Sequence, residues 1–244
     1  MDIRIFETEQ QVARALGERL GAAVRERPSV VLGLPTGRTP VATYAELRRM
    51  HAEQGLSFAE VSTFNLDEFV GVAPTHPGSF RYFMQHHLFG GVDLRPARIH
   101  FLDGLAANLD AECDRYERDI APAGGIDLQV LGIGSNGHIG FNEPADALMA
   151  HTHHTALHEG TRRDNAGPFG GDPARVPREA LSMGMGTILK AGALILVATG
   201  DRKARCVERM VHGPVTTRLP ASFLQMHRRV EIYLDRPAAS LLPV

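Results

Sequence analysis

Short runs of aliphatic and β-branched residues alternate along the chain with longer stretches whose apolar positions recur every three or four residues. That alternation predicts βα units around a mostly parallel sheet. Residues 3–6 read as a first strand and 9–27 as a first helix; 29–34 are almost unbroken in their apolar character and read as a buried strand. A helix follows at 41–54, then a strand at 61–65 that runs into Leu66-Asp67-Glu68-Phe69, a helix at 79–88 and a short strand at 99–102. An amphipathic helix at 109–120 precedes a strand at 126–131, which feeds the glycine-rich stretch Gly132-Ile133-Gly134-Ser135-Asn136-Gly137-His138. The pattern resumes late in the chain with a strand at 193–199, helices at 201–211 and 221–226, and a last strand at 230–234. Between 150 and 177 it gives way to His, Gly, Pro and polar residues over a length too great for an ordinary connection, and this stretch reads as a lid. The expected architecture is α/β: a single Rossmann-like domain over 1–244, with a mostly parallel sheet, helices on both faces and the lid within it.

In an open α/β sheet, ligands collect at the carboxyl ends of the strands. Four such ends carry Thr36-Gly37-Arg38-Thr39, Asp67-Glu68, residues 132–143, and residues 200–203, and they are expected to converge on one crevice. Composition narrows what can enter it. The 244 residues are 43% hydrophobic and 22% charged, enough to bury a full core. A formal net charge of -2 from interleaved acids and bases leaves no electrostatic footprint for nucleic acid or an anionic membrane, so an anionic ligand has to be held locally. Cys113 and Cys206 lie far apart without CxxC spacing and suggest neither a disulfide framework nor a thiolate zinc site. No apolar run has the length of a signal segment or approaches the ~20 residues that span a bilayer. A soluble, cytoplasmic protein is the expectation.

Each motif has a plain structural reading beside the chemical one. Small residues in 33–40 leave backbone N–H groups and a helix N-terminus free to face an anion; equally, this is a tight turn with Thr39 capping the helix and Pro40 in its first position. Asp67 and Glu68 are adjacent just past a strand end, so one side chain at most faces the crevice, and either acid can be a loop carboxylate or a helix cap. The stretch 132–144 is more specific. Its glycines allow sharp turns and close approach, His138 exchanges protons near neutrality, and Glu143, five residues on, can orient and support it. Lys203 opens a helix where it can reach an anion as a point charge, or it is a surface lysine. The 12 histidines include His86-His87, His151, His153, His154 and His158; without HExxH spacing or a clear carboxylate partner they read as solvated residues and not as a metal site.

Taken together, Leu-Pro-Thr-Gly-x-Thr-Pro at 34–40, Asn-Leu-Asp-Glu-Phe at 65–69, Gly-Ile-Gly-x-Asn-Gly-His-Ile-Gly-Phe-Asn-Glu-Pro at 132–144 and Gly-x-x-Lys-Ala at 200–204 resemble the glucosamine-6-phosphate deaminase family, in order over nearly the whole chain. The related 6-phosphogluconolactonases share the Gly-x-Gly-x-x-Gly-His element but usually continue differently, and Phe141-Asn142-Glu143-Pro144 favours the deaminase. The resemblance implies conversion of glucosamine 6-phosphate to fructose 6-phosphate and ammonia, with no metal or organic cofactor. By resemblance, Asp67, Asn136, His138 and Glu143 are the catalytic set: His138, supported by Glu143 and Asn136, opens the sugar ring, and Asp67, taken as ionised at neutral pH, moves the C2 proton to C1. Thr36, Gly37, Arg38, Thr39 and Lys203 would bind the substrate. Family members usually carry Gly or Ser at position 38 and an arginine at position 167, so Arg38 is expected to stand in for the lid cation that Gly167 has lost. Allosteric members place basic residues where His153 and Thr155 stand, so that regulation is not expected. The implied partner is a small amino-sugar phosphate, with neither nucleic acid nor membrane, and a homo-oligomer stays open. Three alternatives stay open as well: a lactonase-like hydrolase, a deaminase for another amino-sugar phosphate such as the galacto epimer, and a sugar-phosphate sensor without turnover.

Overall fold

The computed structural model describes residues 1–243. From the N-terminus the elements are β1 (Asp2–Phe6), α1 (Glu9–Glu26), β2 (Val31–Leu34), α2 (Val41–Gln54), β3 (Ser62–Asn65), β4 (Asp67–Phe69), α3 (Phe80–His87), β5 (Ile99–His100), α4 (Leu109–Ile120) and β6 (Leu128–Gly132). There follow β7 (His153–Ala156), α5 (Glu159–Asp164), β8 (Glu179–Ser182), α6 (Met185–Leu189), β9 (Ala193–Ala198), α7 (Ala204–His212), β10 (Val230–Asp235) and α8 (Arg236–Ala239). Seven strands form one parallel sheet in the order β1-β10-β9-β6-β2-β3-β5. Its central strands are apolar on both faces, as a sheet covered twice requires. Leu32, Leu34, Val130, Ile195 and Val197 pack with α1, α2 and α3 through Leu16, Leu20, Tyr44, Leu47 and Met84. Val31, Leu131, Leu194 and Leu196 face the other way, against Tyr116 of α4 and Val207 and Met210 of α7.

The chain runs outward from β2 through β3 to β5, then crosses back so that β6 lies on the other side of β2. That reversal is the topological switch point where an open sheet leaves a crevice. The loops after β9, β6, β2 and β3, consecutive parallel strands, all leave at this one edge, as the sequence predicts.

Three strands had no counterpart in the sequence pattern. β4, β8 and β7 form a small antiparallel sheet, with Asp67 opposite Ser182 and His153 opposite Ser182 on the other side. Part of the stretch read as irregular is therefore ordered, since β7 and α5 both fall within 150–177. The helix predicted at 201–211 begins as a 3-10 turn over Asp201–Lys203 before α7. Thr39 does not cap α2: Pro40 occupies the cap position and no side chain caps the helix, so its first turn stays open toward the loop.

Candidate functional site

Asp67 is placed by β8. The β4–β8 ladder sets it opposite Ser182, and the Ser182 hydroxyl in turn accepts a hydrogen bond at 3.1 Å from the Phe141 N–H in the loop that follows β6. Asn142 pins the same loop, its amide donating to the Ile139 carbonyl at 2.9 Å and the Met183 carbonyl at 2.8 Å. The result brings Asp67 against Gly140, whose φ is +57° and whose missing Cβ would lie 3.5 Å from the Asp67 carboxylate and 3.2 Å from Ser182 Oγ. Glycine is needed there both for the backbone and for the approach.

The two adjacent acids go separate ways, as alternation along a strand demands. Glu68 accepts from the N–H groups of Phe69 (2.9 Å), Phe80 (3.0 Å) and Arg81 (3.0 Å) and from the Ser79 hydroxyl (2.7 Å), which makes it the anchor of the α3 N-terminus. Its pKa still stands above the usual carboxylate range, because burial outweighs those hydrogen bonds. Asp67 is 7% exposed and accepts no hydrogen bond among the described residues. Burial, reinforced by the neighbouring Glu68 charge, pushes its pKa up to about 8. The expectation of an Asp67 ionised at pH 7 is thereby corrected: desolvation without a donor holds the proton on.

Glu143 has the opposite surroundings at nearly equal burial, being 8% exposed. Asn136 Nδ2 donates to Oε2 at 2.8 Å, and the Thr161 hydroxyl donates to Oε1. His138 Nδ1 stands 3.4 Å from Oε2, inside ion-pair range though short of hydrogen-bond geometry. Burial alone would raise this pKa, but His138, Thr161 and Asn136 outweigh it and bring it down to about 2. Asn136 also accepts the His138 backbone N–H at 3.1 Å. The imidazole lies directly over Gly134, where a Cβ would meet the ring at 2.3 Å. His138 therefore depends on the absence of a side chain four residues earlier. The structure thus places Asn136, His138 and Glu143 on the loop after β6 and brings Asp67 of β4 against that loop at Gly140.

The second set lies at the ends of β2 and β9. Arg38 is exposed and Thr36 and Thr39 are half-buried, around a turn whose Gly37 has φ +99°. Lys203 donates from Nζ to the Ile133 carbonyl at 2.7 Å, so it is tied to the β6 loop and not free on the surface. Burial lowers its pKa; the nearby Cys206 and Asp164 oppose that effect and Arg38 adds to it. A Cβ at Gly167 would meet nothing within 4 Å, so the place of the expected lid cation opens to solvent.

Two residues of this site were missed from sequence. Thr161 sits in a stretch without periodicity, eighteen residues beyond Glu143. His158 brings Nδ1 to 3.9 Å from Glu143 Oε2. The other histidines scatter: His151 lies 3.9 Å from Glu117 and His154 lies 3.4 Å from Glu179. Among the described residues, no three or more His, Cys, Asp or Glu side chains gather as metal ligands. No helix there is long and apolar enough to cross a membrane.

Comparison with known proteins gives concordant matches. Residues 6–233 match the family model of glucosamine-6-phosphate isomerases and 6-phosphogluconolactonases. The glucosamine-6-phosphate deaminase of Halothermothrix orenii is 46% identical over 242 residues, which cover 99% of this chain and 100% of that protein. Glucosamine-6-phosphate deaminase 1 of Giardia intestinalis is 44% identical over 227 residues, covering 93% of this chain and 85% of that one. Among solved structures, a monomeric glucosamine-6-phosphate deaminase superposes with a TM-score of 0.95 at 38% identity, over 99% of this chain and 100% of that chain. The 6-phosphogluconolactonase of Trypanosoma cruzi shares the fold, with a TM-score of 0.77 at 19% identity over 100% and 97% of the two chains.

Proposed function

The chain belongs to the family of glucosamine-6-phosphate isomerases and 6-phosphogluconolactonases, and from that premise we propose that it is a glucosamine-6-phosphate deaminase that forms fructose 6-phosphate and ammonia. The observation that carries this reading is the meeting, at the loop after β6, of a buried carboxyl free of partners, supplied by β4, with a histidine on that loop backed by a carboxylate with a donor on each oxygen. His138, with Glu143 behind it, moves the proton from the O1 hydroxyl to the ring oxygen and opens the pyranose. Asp67 then takes the C2 proton to give an enolamine and returns it to C1, leaving an imine at C2. Water hydrolyses that imine and ammonia departs. A base whose pKa lies near the working pH is better matched to a weakly acidic C–H than an ordinary aspartate, whose pKa is about 3.9.

The phosphate would lie at the open N-terminus of α2, held by the N–H groups of the 36–39 turn, by Lys203 and by Arg38, which supplies from the cradle the cation that Gly167 no longer supplies from the lid. The two cations are near enough for Arg38 to depress the Lys203 pKa, and a bound dianion would relieve that repulsion. The test is ammonia release from glucosamine 6-phosphate, galactosamine 6-phosphate and N-acetylglucosamine 6-phosphate, run beside lactone hydrolysis with 6-phosphogluconolactone. Stoichiometric ammonia and fructose 6-phosphate from the gluco substrate are expected. Lactone hydrolysis without ammonia release, or binding without turnover of any substrate, would overturn the proposal.

A further inference from the structure

Residues 157–178 form a loop with joined ends. The Leu157 N–H donates to the Arg178 carbonyl at 2.8 Å, and inside the loop the Arg162 guanidinium donates to the carbonyls of Pro173 (2.7 Å), Ala174 (3.3 Å) and Val176 (3.2 Å). α5 and the turn at 173–176 are thus clasped into one body. Phe169 seats one side of that body, edge-on to Phe69 at 5.6 Å and stacked on His76 at 5.5 Å. Thr161 seats the other. It is 3% exposed and is the one buried residue of α5. A short surface helix ordinarily buries an apolar side chain. This one buries a hydroxyl, aimed at Glu143.

Asn136 and His138 both address Oε2 of Glu143, whereas Oε1 is held from outside the glycine-rich loop, by Thr161. A donor on each oxygen restrains rotation of the carboxylate, which places Oε2 3.4 Å from the imidazole. We propose that Thr161 is a positioning residue, which locks Glu143 toward His138 and makes proton transfer at His138 depend on the seating of residues 157–178. The kinetic consequence rests on the deaminase reading; the hydrogen-bond latch does not. Lifting α5 removes the donor from Oε1 and withdraws His158 with it, so the catalytic set is complete only while the loop is seated.

Two substitutions separate the hydroxyl from the bulk. Thr161→Val keeps the size and branching without the donor, and Thr161→Ser keeps the donor. Loss of a hydrogen bond to a charged group should lower kcat about tenfold in Thr161→Val, with KM within about threefold of wild type and Thr161→Ser close to wild-type turnover. In the ligand-free protein, amide hydrogen exchange across 157–178 should quicken in Thr161→Val but not in Thr161→Ser, and the valine effect should vanish in a Glu143→Ala background. Wild-type kcat in Thr161→Val, an equal loss in Thr161→Ser, or additive exchange effects with Glu143→Ala would each overturn the proposal. A wild-type protein that releases no ammonia yet shows the coupled exchange effect would break the deaminase reading and leave the latch standing. Ammonia release with no coupling would do the reverse.

Discussion

Asp67 in β4 and Glu143 in the loop after β6 leave almost equal areas exposed, and burial pushes both pKa values upward, more strongly at Asp67. One reaches about 8 and the other falls to about 2. The difference lies in what surrounds each carboxyl: Asp67 has a like charge beside it and no donor, while Glu143 has two hydrogen-bond donors and an imidazole. Glu68 shows that donors alone are not sufficient. With four of them it still titrates above the usual range, so the chargeable ring of His138 is what tips the balance at Glu143. Burial sets the stakes and partners set the sign. Two carboxyls with pKa values driven apart are what a mechanism with separate proton carriers needs.

The largest expected effect breaks one arm of this comparison. Asp67→Asn keeps the shape but removes the proposed base, so ammonia release should fall by about 10²–10⁴ with substrate affinity within about tenfold, read by steady-state kinetics and direct binding. Near-normal turnover would remove Asp67 from the mechanism. Next in size is a change that touches neither carboxyl. Arg38→Gly should raise KM for glucosamine 6-phosphate by roughly 10- to 150-fold, as loss of a charged hydrogen-bonded contact implies. The pH dependence should not move with it, and restoring arginine at position 167 in that variant should recover much of the affinity. An unchanged KM would place Arg38 in solvent.

A smaller effect sharpens the same contrast. If Asp67 must be unprotonated, kcat/KM of the wild type should fall about tenfold per pH unit below an apparent pKa near 8. A limb near pH 4 would mean that Asp67 is solvated in the working enzyme. The smallest effect is on stability, and its sign differs between the two acids. An acid whose folded pKa lies above its unfolded value costs stability as pH rises from about 4 to about 8, so Asp67→Asn should match the wild type near pH 4 and melt higher at pH 8. A gain of at least ~1 kcal/mol corresponds to about 2–4 °C in a chain of this size. Glu143 runs the other way. Its stabilisation is present above its unfolded pKa and is lost as pH falls through about 2, so Glu143→Gln should melt lower at pH 7, with the gap closing between pH 4.5 and 2. Thermal melts across that range check both.

The central parallel strands β2, β6 and β9 were legible because each is a short apolar run between amphipathic stretches, and burial on both faces leaves that mark in the sequence. The second sheet was not. Asp67-Glu68-Phe69, His153–Ala156 and Glu179–Ser182 are three or four residues long and partly polar, and β4 pairs with β8 across more than a hundred positions, so nothing local announces them. The glycine-rich loop exposed His138 and Glu143 as candidates because a histidine and an acid among glycines are costly to explain otherwise. Thr161 gave no such signal, since a threonine amid polar residues looks like surface until the fold carries it to Glu143. The protonation of Asp67 was illegible for a related reason: it depends on donors that are missing, and only the folded arrangement shows what a side chain lacks.

The sheet order has a consequence for how the chain is made. β1 leaves the ribosome long before its one neighbour in the sheet, β10, with which it pairs from Asp2↔Glu231 to Phe6↔Asp235. At about 5–20 residues per second, roughly 10–45 s of translation separate the two. The four strands that frame the crevice are complete once β9 has emerged, so the site's scaffold can assemble while the N-terminal strand is still unpaired. Through that interval β1 is an open edge, and the alternating charges of Asp2 and Arg4 are the kind of feature that keeps such an edge from joining a neighbouring chain.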